Sequence, residues 1–234
     1  QLSGYQWVAG RFTRLDGLVV LDVACGEGFG ADLLAKRGAQ VWAVDLDLSA
    51  LRRARSRYGR PAVRFMAMDA AHLAFAPERF DLVISQDTLE HVQDDKRFVG
   101  ELHRILRPGG HLILMTPAAP VHTTRPQNPF HLREYSVESL RELLAAHFQK
   151  VQLFGRRPTP ILAQVESAMN RLRRFDPFGV RRWVIPTAFR HRLASWLCRQ
   201  HGLPALSAAH ADLVEYFEGT EGSGTLIVRC RRER

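Results

Sequence analysis

Val20-Leu21-Asp22-Val23-Ala24-Cys25-Gly26-Glu27-Gly28-Phe29-Gly30 is an apolar run that meets an acidic residue and a glycine-rich turn, then opens into a helical pattern. A strand, a bend almost free of side chains and a helix N-terminus, in that order, bring backbone N–H groups against a nucleotide-like ligand. Seventeen residues beyond Gly28, the apolar run Val41-Trp42-Ala43-Val44 ends in Asp45. From a second strand end a carboxylate can hydrogen-bond ribose hydroxyls. Two strand ends therefore predict one ligand site.

Outward from this stretch, apolar runs alternate with helical periodicity, the pattern of a parallel sheet covered by helices. Strands are predicted near 18–23, 40–45, 63–68, 80–85 and 110–116, and helices near 28–37, 49–58, 94–107 and 137–147. Ser49 is the expected cap of the second helix and Ser136 of the fourth. Residues 1–17 read as an aromatic-bearing lead-in. Two more strands, 149–155 and 224–230, complete the sheet. Between them Ile161, Leu162, Val165, Met169, Leu172 and Phe175 share one helical face, and Phe189, Leu193, Trp196 and Leu197 suggest another. The chain thus reads as a single domain, 1–234, with a helical insertion at 156–213 that acts as a lid.

The net charge of +9 is uneven: residues 156–201 hold ten arginines against Glu166 and Asp176. Such a basic segment suits an anionic partner, and it is the element expected to make any peripheral membrane contact. No apolar stretch reaches the ~18 residues needed to span a bilayer, and no leader pattern opens the sequence, so a cytoplasmic protein is expected. Cys25, Cys198 and Cys230 have neither the even number of a disulfide framework nor metal-like spacing.

The glycine turn alone is ambiguous, because Gly26, Gly28 and Ala31 also satisfy the dinucleotide fingerprint. Asp22 before the turn, Asp69-Ala70 after the third strand and Leu106-Arg107-Pro108-Gly109-Gly110 before the fifth break the tie. Together they resemble the class I S-adenosylmethionine-dependent methyltransferases. Leu89-Glu90-His91-Val92 and Asn128-Pro129-Phe130-His131-Leu132-Arg133-Glu134-Tyr135 look closest to the bacterial small-molecule and glycan O-methyltransferases. The resemblance covers roughly two thirds of the chain, and its motifs are specific as a set though weak singly. It implies an α/β, Rossmann-like, seven-stranded and mostly parallel sheet with helices on both faces and an antiparallel last strand. It also implies S-adenosyl-L-methionine as cofactor. Asp22, the backbone at Ala24, Gly26 and Gly28 would contact its methionyl end, with Asp45 on the ribose and Leu46 on the adenine face. Asp69 would accept from the adenine amine while the Ala70 N–H meets a ring nitrogen. Ser85 and Gln86 would lie beside the amino acid end and the methyl group.

Methylating an ordinary hydroxyl gains from a base, and histidine suits neutral pH. His131, in the loop after the fifth strand, is the first candidate and His91 the second. Asp87, Glu90 and His91 would share a face on a helical turn, and a subset of related O-methyltransferases uses a comparable set to hold Mg2+. Leu-Glu-His also occurs in metal-free relatives, so no metal is assigned. The expected partner is a small-molecule or glycan acceptor, and nothing in the sequence sets an oligomeric state. An NAD-dependent oxidoreductase would leave Asp22, Asp69 and the Arg107-Pro108-Gly109-Gly110 turn unexplained. A nucleic-acid methyltransferase would suit the arginines, but Ser85-Gln86-Asp87-Thr88 stands where base-amine methyltransferases carry Asn/Asp-Pro-Pro-Tyr/Phe. A noncatalytic cofactor-binding module is the remaining alternative.

Overall fold

Strands buried on both faces read as near-continuous apolar runs, and the segments at 18–23 and 80–85 follow that pattern except at Asp22, Asp81 and Ser85. The protein is described by a computed structural model over residues 2–12, 14–126, 128–158, 214–221 and 223–233. Helix α1 (Leu2–Arg11) precedes β1 (Val19–Val23), α2 (Phe29–Lys36), β2 (Gln40–Asp45), α3 (Leu48–Tyr58), β3 (Val63–Ala67) and β4 (Phe80–Gln86). A single 3-10 turn at Leu89–His91, α4 (Asp95–Ile105), β5 (Leu106–Pro117), α5 (Val137–Ala145), β6 (Lys150–Pro158), β7 (Val214–Glu218) and β8 (Thr225–Arg231) follow. The strands form one sheet in the order β3-β2-β1-β4-β5-β8-β6-β7. β1 to β5 run parallel, and β8 is antiparallel to both β5 and β6.

The sequence expectation of a mostly parallel sheet with an antiparallel last strand is met, with two additions. The sheet has eight strands instead of seven, because Val214–Glu218 pairs at its edge. The lead-in is a helix, and its buried residues Tyr5, Trp7 and Val8 join the core. Its apolar stripe is short, which hid it in the sequence. Asp47 rather than Ser49 caps α3, accepting from the N–H groups of Ser49 and Ala50. Ser136 caps α5 as expected, through the N–H of Ser139.

Compact units form from 1–156 with 216–234, and from 157–215. Most of the insertion, residues 159–213, lies outside the described residues, and with it the two amphipathic helices and the arginine-rich lid expected there. Among the described residues no helix is long and apolar enough to cross a membrane.

Alternating side chains send two cores to opposite faces of the sheet. Leu21, Val83, Leu112 and Leu114 pack with Phe98, Leu102, Leu140 and Leu144 of α4 and α5. Val20, Leu82, Ile84 and Ile113 pack with Val8, Ala31, Leu34 and Leu51 of α1, α2 and α3. In α4, Phe98, Val99, Leu102 and Ile105 follow the spacing of one helix face and are fully buried. Arg104, on the same helix, donates to the carbonyls of Leu73 and Phe75 and pairs with Glu101, which ties the β3–β4 connection down. The sheet ends left open by these two layers, at the carboxyl edge of β1, β2 and β4, are where the functional residues gather.

Phe98→Ala is expected to lower unfolding free energy by about 3–5 kcal/mol, and loss of the α4 cap in Asp94→Ala by about 1 kcal/mol. Urea titration of both variants checks the ratio.

Candidate active site

Asp22, one residue before the end of β1, lies opposite Ala43 on one side and Ile84 on the other. Its carboxyl is fully buried, and the hydroxyl of Tyr5 donates to Oδ1 over 2.7 Å. Oδ2 has no hydrogen-bond partner. Burial pushes the carboxyl up from 3.8 to about 7, opposed by the Tyr5 bond and assisted by the charge of Asp45. Burial, with Asp22 alongside, likewise raises the Tyr5 phenol. Ser85 and Gln86, at the end of β4, are also buried, and Ser85 Oγ and Gln86 Oε1 lack partners. Val23 pairs with Ser85, so these groups stand at neighbouring strand ends. An unpaired buried acceptor costs about 1–3 kcal/mol, and three on adjacent strand ends are the mark of a polar ligand's seat.

The turn between β1 and α2 is held by its own backbone and by β2. Cys25 N–H donates to Val44 O at 3.0 Å, and Gly26 N–H to Asp45 Oδ2 at 2.7 Å. Ala24, Gly26 and Gly28 all have positive φ. Gly28 faces inward: a Cβ there would stand 2.6 Å from Phe65 Cε1 and 2.9 Å from Ala54 Cβ. That glycine therefore serves the packing of the turn on β3 and α3. A Cβ on Gly30 would overlap the Tyr5 ring, which also meets Phe29 edge-on at 5.6 Å. Trp7 points elsewhere, against Phe154 at 5.2 Å. Burial raises the Cys25 thiol, which is inert there.

Asp45 accepts from Gly26 N–H and, through Oδ1, from Asp47 N–H at 2.8 Å. Each oxygen keeps a lone pair for a ribose hydroxyl. Leu46 beside it is 69% exposed. Asp69 closes a turn by accepting from Ala71 N–H and pairing with His72, and those bonds hold its carboxyl below the usual range. The capping role and an open lone pair coexist, since the side chain stays half exposed. Ala70, partly buried, packs at the edge of the core.

A second cluster follows β4. Glu90 is buried, Thr116 donates to its Oε2 at 2.9 Å, and its Oε1 lies 4.0 Å from His91 Nε2. Burial raises this carboxyl. His91 Nδ1 bonds the Phe130 carbonyl at 2.8 Å, and its ring meets that of His131 edge-on at 5.0 Å. His131 has both nitrogens engaged, Nδ1 with Glu134 at 2.9 Å and Nε2 with Asn128 at 2.8 Å. Leu132 N–H donates to Glu90 O, and Arg133 and Tyr135 both bind Asp95 at the start of α4. The loop is thereby laced onto the 3-10 turn.

The expected trio of Asp87, Glu90 and His91 does not form. Only Leu89–His91 is helical, and Asp87 sits before it with φ 53. Glu90, His91 and His131 instead bring one ligand atom each to within 4.8 Å of one another. His131 could ligate only by giving up one of its two bonds, so no metal is assigned to them. Asn128, Glu134 and Asp95 were missed as site residues, though Asn128 and Glu134 flank His131 in the quoted motif.

Residues 21–114 match a family model described as a methyltransferase domain. A probable S-adenosylmethionine-dependent methyltransferase of Mycobacterium tuberculosis is 42% identical over 156 residues, 64% of this chain and 55% of the relative. The chain carries a methyltransferase domain at residues 21–114 and is similar to S-adenosylmethionine-dependent methyltransferases. It spans about half the length of the curated relatives it matches. A ubiquinone biosynthesis O-methyltransferase of Leptothrix cholodnii is 36% identical over 114 residues, 47% of this chain and 48% of that one. Among solved structures, a Thermotoga maritima methyltransferase described as a possible histamine N-methyltransferase superposes with a TM-score of 0.64. That match covers 99% of this chain and 89% of the other at 17% identity, which shows the fold. Asp22, Asp45, Asp69, Ser85, Gln86, Glu90 and His91 lie inside the segment matched to the methyltransferase domain model, whereas Tyr5, Asn128, His131 and Glu134 lie outside it.

The raised Asp22 carboxyl has a consequence for stability. Folding favours its neutral form, so its contribution is fully present below the unfolded value of 3.8 and is lost as pH rises through about 7. Without ligand, the stability gained in Asp22→Asn over the parent protein is expected to be larger at pH ~8 than at pH ~5. Urea titrations at both pH values that gave equal stability throughout would contradict this.

Proposed function

We propose that this domain transfers a methyl group from S-adenosyl-L-methionine to a hydroxyl of a sugar or other small-molecule acceptor, with His91 as the base. The observation that carries the acceptor chemistry is His91 itself. Its Nδ1–H donates to the Phe130 carbonyl, which leaves the Nε2 lone pair free to take a proton. Glu90 Oε1, 4.0 Å from that nitrogen and without another partner, favours the imidazolium that results. His131 is less suited to the task, because Asn128 already occupies its Nε2.

The residues present fit the cofactor. Asp22 Oδ2, Gln86 Oε1 and Ser85 Oγ are acceptors without partners where its amino acid end would lie, and a cationic ligand would convert Asp22 from a strained neutral acid to a paired carboxylate. Ala24 and Gly26 would line that end through backbone, Asp45 would take the ribose, Leu46 the adenine face, and Asp69 with Ala70 the adenine edge. Gly28 supports the turn from behind. When bound, the sulfonium supplies an electrophilic methyl group, and the protein's part is to position the acceptor and exclude water.

Phe130 is 79% and Leu132 44% exposed, although their backbone atoms hold His91 and Glu90. These side chains favour, as a second reading, an acceptor whose hydroxyl is carried on an apolar body. The ubiquinone methyltransferase relative, by its name, has such an acceptor.

Calorimetry should show S-adenosylmethionine binding and no NAD binding; the opposite result would end the methyltransferase reading. His91→Ala is expected to lower turnover by about 10²- to 10⁴-fold with cofactor affinity unchanged. Turnover of labelled cofactor with sugar and isoprenoid-phenol acceptors identifies the acceptor class, and loss of activity in chelator would reinstate a metal.

A further inference from the structure

Asn128 occupies a position that decides the state of two histidines, though it touches only one. Its Oδ1 accepts from the N–H of Phe130 at 3.1 Å, which fixes the amide so that Nδ2 faces His131. Nδ2 can only donate, so His131 Nε2 must present a lone pair, and the ring proton must sit on Nδ1. There it donates to Glu134 Oε1 at 2.9 Å. Glu134 cannot swing away easily, because its N–H and C=O both pair with Thr123. The same Phe130 whose N–H is held by Asn128 offers its carbonyl to His91 Nδ1. A carbonyl can only accept, so His91 must also carry its proton on Nδ1 and expose Nε2.

The geometry points to Asn128 as a positioning residue that keeps His131 neutral and, through the Phe130 peptide, holds His91 in the tautomer and orientation that a base requires. This rests on the reading of His91 as the base. Asn128 acts through the loop, by its bonds to His131 and Phe130. Protonating His131 at Nε2 would confront Nδ2 with a second donor and force the amide to turn, which costs the Phe130 N–H its acceptor. A neutral His131 is therefore coupled to the seat of His91. The charged groups around the His91 ring are Glu90 on its own turn, with Asp87 close enough to act on Glu90. From the loop they are His131 and Glu134, backed by the Arg133–Asp95 pair.

Asn128→Asp tests this with a change of one atom type. The new carboxylate can still accept from Phe130 N–H, but its second oxygen demands a proton on His131 Nε2 while Glu134 retains the one on Nδ1. The new carboxylate and the doubly protonated ring form a pair neutral overall, but its cationic member, the His131 ring, is the one that meets His91, at 5.0 Å, and opposes protonation there. Turnover is expected to fall by about ten- to a hundredfold, the scale of a small misplacement of a catalytic group. Cofactor affinity should be unchanged, and the acid limb of the turnover profile should move to lower pH. A variant whose turnover falls without movement of that limb would show Asn128 to be structural only. Unchanged turnover and profile would overturn the role altogether. Nitrogen-edited NMR of the imidazole rings in the full-length parent protein gives a reading that needs neither the variant nor activity. Both His91 and His131 should carry the proton on Nδ1 at neutral pH, and a proton on Nε2 of His131 would refute the proposal. Unchanged turnover in His91→Ala, with the tautomers as stated, would instead remove the base reading and leave the hydrogen-bond chain standing.

Discussion

A carboxyl group shut away from water at the end of β1 governs what the carboxyl edge of this sheet can hold. Asp22 satisfies one oxygen through Tyr5 and leaves the other without a partner. Both side chains are fully buried, so the bond has little competition from solvent and ties α1 to the central strand. The helix in turn completes one of the two cores through Tyr5, Trp7 and Val8. Gly30 exists in the form it does because the Tyr5 ring lies where a Cβ would be. One polar contact thus links the N-terminal helix, the glycine turn and the end of the central strand.

Beyond β4 the design principle changes from burial to lacing. Glu90 and His91 lie on a 3-10 turn too short to hold side chains by helical packing alone. Their orientation comes from the loop after β5, through Phe130 O, Leu132 N–H and the Thr116 hydroxyl. That loop is fixed at its far end by Asp95, which receives both Tyr135 and Arg133. Bonds between donor-only and acceptor-only groups leave each imidazole one tautomer, which is how a surface loop attains the definition that catalysis needs.

The matched domain segment and the features particular to this chain divide along the same line. Residues 21–114, matched to the methyltransferase domain, hold the ends of β1, β2, β3 and β4, while Tyr5 and the loop at 128–134 fall outside. Cofactor seats are shared across such folds, and acceptor chemistry is grafted onto their loops. The apolar side chains of Phe130 and Leu132, exposed beside His91, belong to the second group.

The sequence by itself determined the strand order of use, the glycine turn and the carboxylates at the ends of β1, β2 and β3, because hydrophobic period and turn chemistry are local properties. Ser136 as a cap and the antiparallel last strand were legible for the same reason or through family resemblance. What depended on distant partners was not legible. The glycine turn is legible, but that Gly28 also makes room for Phe65 and Ala54, which approach from β3 and α3, is not. Ser49 stood at a plausible cap position, yet Asp47 reached the free N–H groups first. Asp87 stood at helical spacing from Glu90 and His91, but the chain before the short turn is left-handed and sends it elsewhere. Only the tertiary structure decided which histidine keeps a free lone pair, since that depends on the Phe130 carbonyl reaching His91 from 39 residues away and on the loop folding the Asn128 amide nitrogen back onto His131.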